Sequence, residues 1–414
     1  MTDLYEGDRV ELTVGAPAHG GHCVARLGGP HGRVVFVRHA LPGERITAEI
    51  TELHKGFVRA DAVEIHEPSP DRVTPPCPYA HPGGCGGCDL QHATIDAQLR
   101  WKAAVVEEQL RRLAGLTLPV RVEPLADDPL GWRSRVRYAV DAAGRPGLLQ
   151  HRSHQVVPID RCRIAHPAIQ RLDLLDRVWD DADALEAVAS TGGDVAVLAR
   201  PTGGGALPAD DPAEAPLPSG RRTRLSGPAE VTEAAGGRSW GVPAEGFWQV
   251  HPAAADTLTG AVLDLLRPAR GETSWDLYGG AGLFAAALAE RTGARTTLVE
   301  AAAVGAAAAR ANLADLPVEV IERRVDLALR RLDRPVDLVV LDPPRAGAGA
   351  KVTREIAGSG ARAVAYVACD PAALARDIAT FRSAGWELAE LRAFDCFPMT
   401  QHVECVALLL PGDA

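Results

Sequence analysis

Five short runs near the start of the chain alternate hydrophobic with polar side chains. A period of two residues is typical of strands that bury one face, and glycine and proline separate the runs. The pattern predicts a small closed β-barrel over residues 1–66, although other small β modules would give the same pattern. The runs are Val10–Val14, Cys23–Leu27, Arg33–Val37, Arg45–Leu53 and Phe57–Ile65.

The pattern changes in residues 246–414, where apolar runs alternate with segments of helical period. This alternation predicts an α/β domain with a doubly wound, mostly parallel sheet that ends in two successive strands. The predicted strands are Ser274–Tyr278, Thr296–Val299, Val336–Leu341, Ala363–Ala368, Trp386–Phe394 and His402–Leu410. The predicted helices include Leu283–Glu290 and Pro371–Ser383.

A central region, residues 67–245, connects these two parts. It holds a proline-rich linker, an amphipathic helix over 91–114 that we expect to pack on the C-terminal domain, and a proline-rich stretch, 206–224, expected to be a variable loop or disordered. A strand over Gly131–Val140 alternates arginines with apolar residues. Its guanidinium groups would share one face, suited either to nucleic-acid phosphates or to the solvated side of an edge strand.

Composition narrows the class of protein. Hydrophobic residues make up 46% of the chain and charged residues 24%, and no apolar segment approaches the roughly 20 residues that span a bilayer. The N-terminus lacks the blocks of a signal peptide, so a cytoplasmic protein is expected, with a monomer as the default. The net charge of -10 argues against indiscriminate nucleic-acid binding, but the stretch from Arg133 to Arg163 is locally basic.

Clustered cysteines in a chain without an export signal indicate metal ligands rather than disulfides. Three lie in one glycine-rich loop and a fourth stands alone, which favours a [4Fe–4S] cluster over zinc on spacing, although four thiolates suit both. His81 and His92 are weaker substitutes for the fourth ligand. The four candidates are Cys77, Cys85, Cys88 and Cys162.

The C-terminal domain carries the signs of a nucleoside site. A glycine turn, Gly279–Gly282, follows its first strand, and Glu300 ends its second, where an acid binds ribose hydroxyls. The turn lacks the full G-x-G-x-x-G that grips a pyrophosphate, so S-adenosylmethionine is favoured over a dinucleotide. Cys369 ends another strand just before Pro371 opens a helix, at the sheet edge where such folds bind ligands.

Several motifs together resemble the RNA uracil-5-methyltransferase family, closest to its iron–sulfur branch that acts on 23S rRNA. The stretch Val34–Glu44 is similar to the TRAM domain, an OB-like RNA-binding barrel. The C-terminal motifs are Phe247–His251, Asp276–Gly282, Val299–Glu300, Asp342–Gly347, Tyr366–Pro371 and Phe397–Glu404. Gly279 departs from the family, which usually has cysteine there, and we expect this to be tolerated.

The resemblance implies fold, substrate and site. Its fold is a Rossmann-like methyltransferase domain behind a TRAM barrel and a central RNA-binding domain with an iron–sulfur site. The substrate is RNA, and this branch implies ribosomal rather than transfer RNA. The residues implied to hold the [4Fe–4S] cluster are Cys77, Cys85, Cys88 and Cys162. Those implied to line the S-adenosylmethionine site are Gln249, Tyr278, Glu300, Asp326 and Asp342.

The chemistry of uracil assigns the remaining roles. C5 is too weak a nucleophile to take a methyl group until a thiolate adds to C6, the role expected of Cys369. The C5 proton must then leave, and Glu404 is the candidate base. The alternatives are a transfer-RNA enzyme, a non-catalytic RNA-binding relative, an amine methyltransferase using the Asp342–Pro344 turn, and a zinc or redox protein.

Overall fold

The computed structural model describes residues 4–203 and 222–412. The first five strands close a barrel in the order β1-β2-β3-β5-β4, as the alternation predicts. Their inward side chains, such as Val35, Val37 and Ile46, are fully buried. The strands are β1 (Arg9–Ala18), β2 (His22–Leu27), β3 (Arg33–Arg38), β4 (Arg45–Leu53) and β5 (Phe57–Glu67).

One helix links the barrel to the rest of the molecule. Helix α1 (Ile95–Gln109) begins after Thr94, whose side chain accepts the Ala97 N–H, and continues as a π-helical turn, Leu110–Ala114. Trp101 on this helix packs in the barrel core. Val106 packs in a core of the C-terminal sheet. Helix α1 is therefore shared between two hydrophobic cores.

The central region forms a six-stranded sheet of order β12-β11-β10-β7-β8-β9 and a separate hairpin, β13-β14. Residues 206–221 of the stretch expected to be a loop or disordered lie outside the described part of the chain, and Thr223 and Arg224 belong to β12. The elements are β6 (Val122–Pro124), β7 (Arg135–Val140), β8 (Pro146–Leu149), β9 (Val156–Pro158), α2 (Pro167–Gln170), β10 (Ala182–Ala189), β11 (Val195–Pro201), β12 (Thr223–Ser226), β13 (Glu230–Ala235) and β14 (Arg238–Pro243).

The arginine-rich strand β7 lies inside this sheet, between β10 and β8. Arg135 donates to the carbonyl oxygens of Ala244 at 3.0 Å and Gly246 at 2.8 Å. Both interpretations, an exposed phosphate-binding face and a solvated edge strand, are therefore wrong. Alternation shows which side chains share a face but not whether that face meets water. The buried side chains are Trp132, Arg133, Arg135, Arg137 and Tyr138.

The C-terminal strands form an eight-stranded sheet of order β17-β16-β15-β18-β19-β21-β20-β6. Strands β15 to β19 are mutually parallel and β21 runs antiparallel to β19, which confirms the predicted fold class. The elements are α3 (Ala254–Leu266), β15 (Ser274–Leu277), α4 (Leu283–Thr292), β16 (Thr296–Glu300), α5 (Ala303–Asn312), β17 (Val318–Glu322), α6 (Val325–Ala328), β18 (Leu338–Leu341), α7 (Gly349–Ala357), β19 (Ala363–Ala368), α8 (Pro371–Ser383), β20 (Trp386–Asp395) and β21 (Glu404–Pro411).

The last strand of that sheet comes from the central region. Strand β6 pairs in parallel with β20, with Val122 opposite Ala393. The sequence pattern did not predict this strand, which is only three residues long. None of the described helices is both long and apolar enough to cross a membrane.

Candidate active site and cysteine site

Strand pairing places the two predicted catalytic residues at one end of the sheet. Strands β19 and β21 run antiparallel with Ala368 opposite Cys405, so Cys369 and Glu404 occupy the next position of the same ladder. Glu404 is 4% exposed. A buried carboxyl group and a thiol therefore lie across adjacent strands at the carboxyl edge of the parallel sheet, where this fold binds its ligands.

Cys369 lines a cavity of about 310 Å³ to which the barrel, the central region and the C-terminal domain all contribute. The barrel contributes side chains from its β1–β2 turn and from β3 and β5, and the central region contributes Arg152. The C-terminal domain closes the cavity with Arg345 and with Gln401 and His402. The size lies within the usual range for small-molecule sites and admits one flipped base.

The glycine turn after β15 is shaped by backbone contacts. The N–H groups of Tyr278 and Gly279 both donate to Val299 O, at 2.9 and 3.1 Å. Tyr278 has a φ of 66°, a conformation that a non-glycine residue adopts only where its surroundings enforce it. Glu300 Oε2 accepts the Gly280 N–H at 3.0 Å. The predicted ribose-binding acid is thus held against the turn.

One fully buried carboxyl group, Asp276, and one half-buried carboxyl group, Asp342, lie at the ends of adjacent strands near this turn. Asp276 is fully buried: its Oδ2 accepts the Ala285 N–H at 2.8 Å, and its Oδ1 has no hydrogen-bond partner. Burial raises the pKa of Asp276 to about 7, against the Ala285 hydrogen bond, and Asp342 and Glu300 raise it further. Burial also raises the pKa of Asp342. Unpaired carboxylate oxygen of this kind suits a cationic or hydrogen-bond-donating ligand.

The other two predicted S-adenosylmethionine residues lie at different places. Asp326, in the first turn of α6, pairs with Arg324 at 3.0 Å and contributes to the raised pKa of Tyr278, after burial and Asp377. Gln249 follows Trp248, which packs in the hydrophobic cluster beneath α4. The structure therefore brings Asp326 near Tyr278 and places Gln249 next to a residue that supports the glycine turn.

The four predicted cysteine ligands line a single pocket in the central region. All four are free thiols. Burial raises the pKa of Cys85 to about 12, while the N–H of Gly87, which donates to Cys85 Sγ at 3.3 Å, acts in the opposite direction. Arg133, Arg161 and Arg163 line the same pocket and provide the positive charge that buried thiolates require.

The arrangement of the four cysteines bears on both metal hypotheses. Across residues 4–203 and 222–412, no three histidine, cysteine or acidic side chains are arranged to hold one metal ion. A structural zinc site would gather its four ligands around one point. A [4Fe–4S] cluster requires its four ligands to be spread around the cluster, because each iron binds its own thiolate. The donor set, four thiolates among arginines, fits a [4Fe–4S] cluster and also suits zinc.

Comparison with known proteins gives the family. Residues 3–63 match the TRAM domain, and residues 243–411 match the tRNA (Uracil-5-)-methyltransferase model. An RNA methyltransferase of uncharacterized function from Streptomyces avermitilis is 48% identical, over 98% of this chain and 99% of the relative. The chain belongs to the RNA uracil-5-methyltransferase family.

Other relatives of this family cover nearly the whole chain. The 23S rRNA (uracil(1939)-C(5))-methyltransferase RlmD of Chromohalobacter salexigens is 35% identical, over 96% of this chain and 88% of the relative. The tRNA (uracil-54, C5)-methyltransferase of Pyrococcus abyssi, solved with S-adenosyl-L-homocysteine, has the same fold, with a TM-score of 0.73, 23% identity, and coverage of 97% of this chain and 100% of that one. The protein is thus an S-adenosylmethionine-dependent RNA uracil-5-methyltransferase.

Sequence reasoning missed the contribution of the barrel to the cavity that Cys369 lines. His19, His22 and Arg59 line it together with Cys369. No local motif marks these residues, because their position depends on how the barrel docks on a sheet formed much later in the chain.

Proposed function

We propose that the enzyme forms 5-methyluridine in 23S rRNA, with Cys369 as nucleophile and Glu404 as base. The observation that carries the proposal is the placement of these two residues on adjacent strands at the end of the sheet, with Cys369 lining the cavity. The rRNA target is supported by the RlmD relative, which aligns with barrel, central region and catalytic domain together.

In the first step the Cys369 thiolate bonds to C6 of a flipped uracil, and the C5=C6 electron pair moves into the C4 carbonyl as an enolate. C5 then has carbanion character and takes the methyl group from the sulfonium, which leaves as S-adenosylhomocysteine. Arg345 lines the same cavity as Cys369 and brings positive charge close to the ring.

In the second step Glu404 removes the proton from C5. The electron pair re-forms the C5=C6 double bond and expels the Cys369 thiolate, which regenerates the enzyme. Burial of Glu404 keeps water away from its carboxyl group. The proton that this group takes up therefore comes from C5 rather than from solvent.

For the methyl donor we assign Glu300 to the ribose hydroxyls, with Tyr278, Asp326, Asp342 and Gln249 completing the site. The hydrogen bond between Glu300 and the Gly280 N–H supports this role, because it fixes the carboxylate beside the turn. Asp276 and the half-buried Asp342 would place negative charge near the positive end of the donor.

For the cysteine pocket we assign a [4Fe–4S] cluster held by Cys77, Cys85, Cys88 and Cys162. Its role would be structural, since neither step above transfers an electron and four protein thiolates leave no open iron. Iron, sulfide and zinc analysis of anaerobically purified protein tests this assignment. Four irons per chain support it, and one zinc per chain with no iron would replace it.

A methyl-transfer assay tests the whole proposal. It uses labelled S-adenosylmethionine with separately purified, unmodified 23S rRNA and tRNA, and nucleoside mass spectrometry identifies the products. 5-Methyluridine in rRNA alone is the expected result, whereas its formation in tRNA alone would keep the chemistry and change the substrate. Wild type should form a covalent adduct with RNA containing 5-fluorouridine. Cys369→Ala should form none, and the matched control Cys23→Ala, a buried barrel thiol, should behave as wild type.

A further inference from the structure

A second cavity adjoins the catalytic one. It has a volume of about 230 Å³ and lies between the barrel, the cysteine loop and the turn after β8. His22, Arg59 and Arg152 line both cavities and form their common wall. Thr51, His81 and Gln150 line only the second one.

We propose that this second cavity binds the nucleotide directly next to the target uridine, with the phosphate between the two nucleotides at the common wall. The proposal rests on the proposed function, in which the catalytic cavity takes the flipped uracil. Two bases that enter adjoining cavities must leave their shared phosphate between them, and the wall offers two guanidinium groups there.

The wall combines positive charge with one neutral ring. Burial, followed by the charge of Arg38, lowers the pKa of His22 to about 2. His22 therefore stays neutral at working pH and offers one donor and one acceptor to a base edge. Its ring centroid lies 6.1 Å from that of Phe36, which lines the first cavity, and 6.1 Å from that of His151, which lines the second. An aromatic ring in each cavity suits bases that enter from a single strand.

The acidic groups of the second cavity offset only part of this charge. Glu52 pairs with Arg59 at 3.4 Å and with His54 at 2.9 Å, so it neutralises part of the Arg59 charge, and Arg152 supplies the second guanidinium group of the wall. Burial raises the pKa of Asp61, although Arg38 opposes it, so this carboxyl group holds its proton more readily than a free one.

The cysteine loop packs against the turn that carries Arg152. Arg152 has a φ of 52°, which is strained for this residue. Gly86 donates to Leu149 O at 2.9 Å, and a Cβ at Gly86 would lie 2.5 Å from the backbone nitrogen of His151. This contact needs a glycine. The loop that carries Cys85 and Cys88 thus fixes one side of the proposed nucleotide site.

Binding of a fluorescent heptanucleotide, three adenosines on each side of one uridine, tests the proposal without turnover. Thr51→Trp would fill the second cavity only. Leu53→Trp, at another exposed position of β4, is the matched control. We expect Thr51→Trp to bind the probe about tenfold more weakly, which is the range of one lost base stack. Leu53→Trp should bind it as tightly as wild type.

Heptanucleotides with an abasic site on either side of the uridine identify the occupant. The probe that lacks the base belonging in the second cavity should bind wild type and Thr51→Trp equally well. Equal binding by Thr51→Trp and Leu53→Trp on the intact probe would overturn the proposal, as would a Thr51→Trp defect that both abasic probes retain. Unchanged affinity for S-adenosylmethionine confirms that each variant is folded.

A second variant tests the phosphate. Arg152→Ala should weaken binding about tenfold and reduce the slope of log K against log salt by about 0.7, the value for one phosphate of a single strand. A neutral methylphosphonate at one linkage beside the uridine should remove the difference from wild type. Arg145→Ala, an exposed arginine outside both cavities, is the control. Binding is measured separately from product formation. A wild type that forms no 5-methyluridine would therefore overturn the proposed function, while the binding measurements would still test the second cavity.

Discussion

His19 Nε2 lies 2.8 Å from an oxygen of the Asp370 carboxylate, across 351 residues of chain. Asp370 directly follows the proposed nucleophile and caps α8 by accepting the Ala373 N–H at 2.7 Å. Burial acts to raise the pKa of Asp370, but the His19 and Ala373 hydrogen bonds outweigh it and the pKa is lowered. The barrel is therefore anchored to the residue next to Cys369.

Replacing His19 by alanine should loosen the barrel over the cavity. We expect KM for RNA to rise about two- to fivefold with kcat nearly unchanged, as for the loss of one partly exposed ion pair. Steady-state methyl transfer measures both constants. His31→Ala, an exposed histidine of the same barrel, serves as control. A fall in kcat at constant KM would instead place His19 in the chemistry.

Replacing Glu404 by glutamine should separate the two halves of the reaction. Methyl transfer needs only the thiolate, whereas release needs the base, so kcat should fall by about 10²- to 10⁴-fold while a covalent protein–RNA adduct accumulates. A denaturing gel with labelled methyl donor detects that adduct. The double variant with Cys369→Ala should show none, and an adduct that persists there would contradict the assignment of Cys369.

Affinity for the methyl donor should rise with pH. The raised pKa of Asp276 means that the folded protein keeps a proton there up to about pH 7. Above that pH the carboxylate attracts the sulfonium, so the Kd of S-adenosylmethionine should fall several-fold between pH 5.5 and 8. S-Adenosylhomocysteine lacks the sulfonium charge and is the matched ligand. Calorimetry that gives equal pH dependence for both would contradict the expectation.

The same pKa shift predicts how stability depends on pH. Between about pH 4, where an unfolded aspartate loses its proton, and pH 7, the folded state binds more protons than the unfolded state. The free energy of unfolding should therefore decrease as pH rises through this window. Asp276→Asn should reduce that decrease, and urea denaturation at several pH values measures it. An unchanged slope would show that another group is responsible.

The fully buried Lys102 forms an ion pair with Asp395 and donates to Phe397 O at 3.0 Å. Lys102→Met would leave the Asp395 carboxylate buried and unpaired, which costs about 3–5 kcal/mol of unfolding free energy. Adding Asp395→Leu should restore most of that loss. Urea denaturation compares these variants with Lys55→Met, an exposed control, and a double variant as unstable as the single one would refute the argument.

Local patterns predicted much of this molecule. Alternation gave the barrel strands, and the apolar run Ala363–Ala368 matches β19 residue for residue. Patterns also placed Cys369 and Glu404 at the end of the sheet, because the ends of adjacent strands meet there. These successes share a cause: each depends on residues close in sequence or on a rule of sheet topology.

The features that the sequence did not predict depend on packing between segments that are distant in the chain. Nothing near Arg135 indicates that its guanidinium group is buried against Ala244 and Gly246. The glycine at position 279 has a similar explanation, since a Cβ there would lie 2.5 Å from Leu298 Cγ. Leu298, on the neighbouring strand, excludes a larger side chain, and the sequence alone shows only the departure from the family.

The pairing of β6 with β20 sets the order in which the sheet can be completed during synthesis. Arg392 of β20 bonds to Glu123 of β6, 269 residues earlier in the chain. Strand β6 leaves the ribosome long before its partner β20 exists, because 269 residues separate Glu123 from Arg392. Contacts so distant in sequence form slowly. A polypeptide that began at residue 243 would therefore end its sheet at an open β20 edge, free to pair with another copy and aggregate.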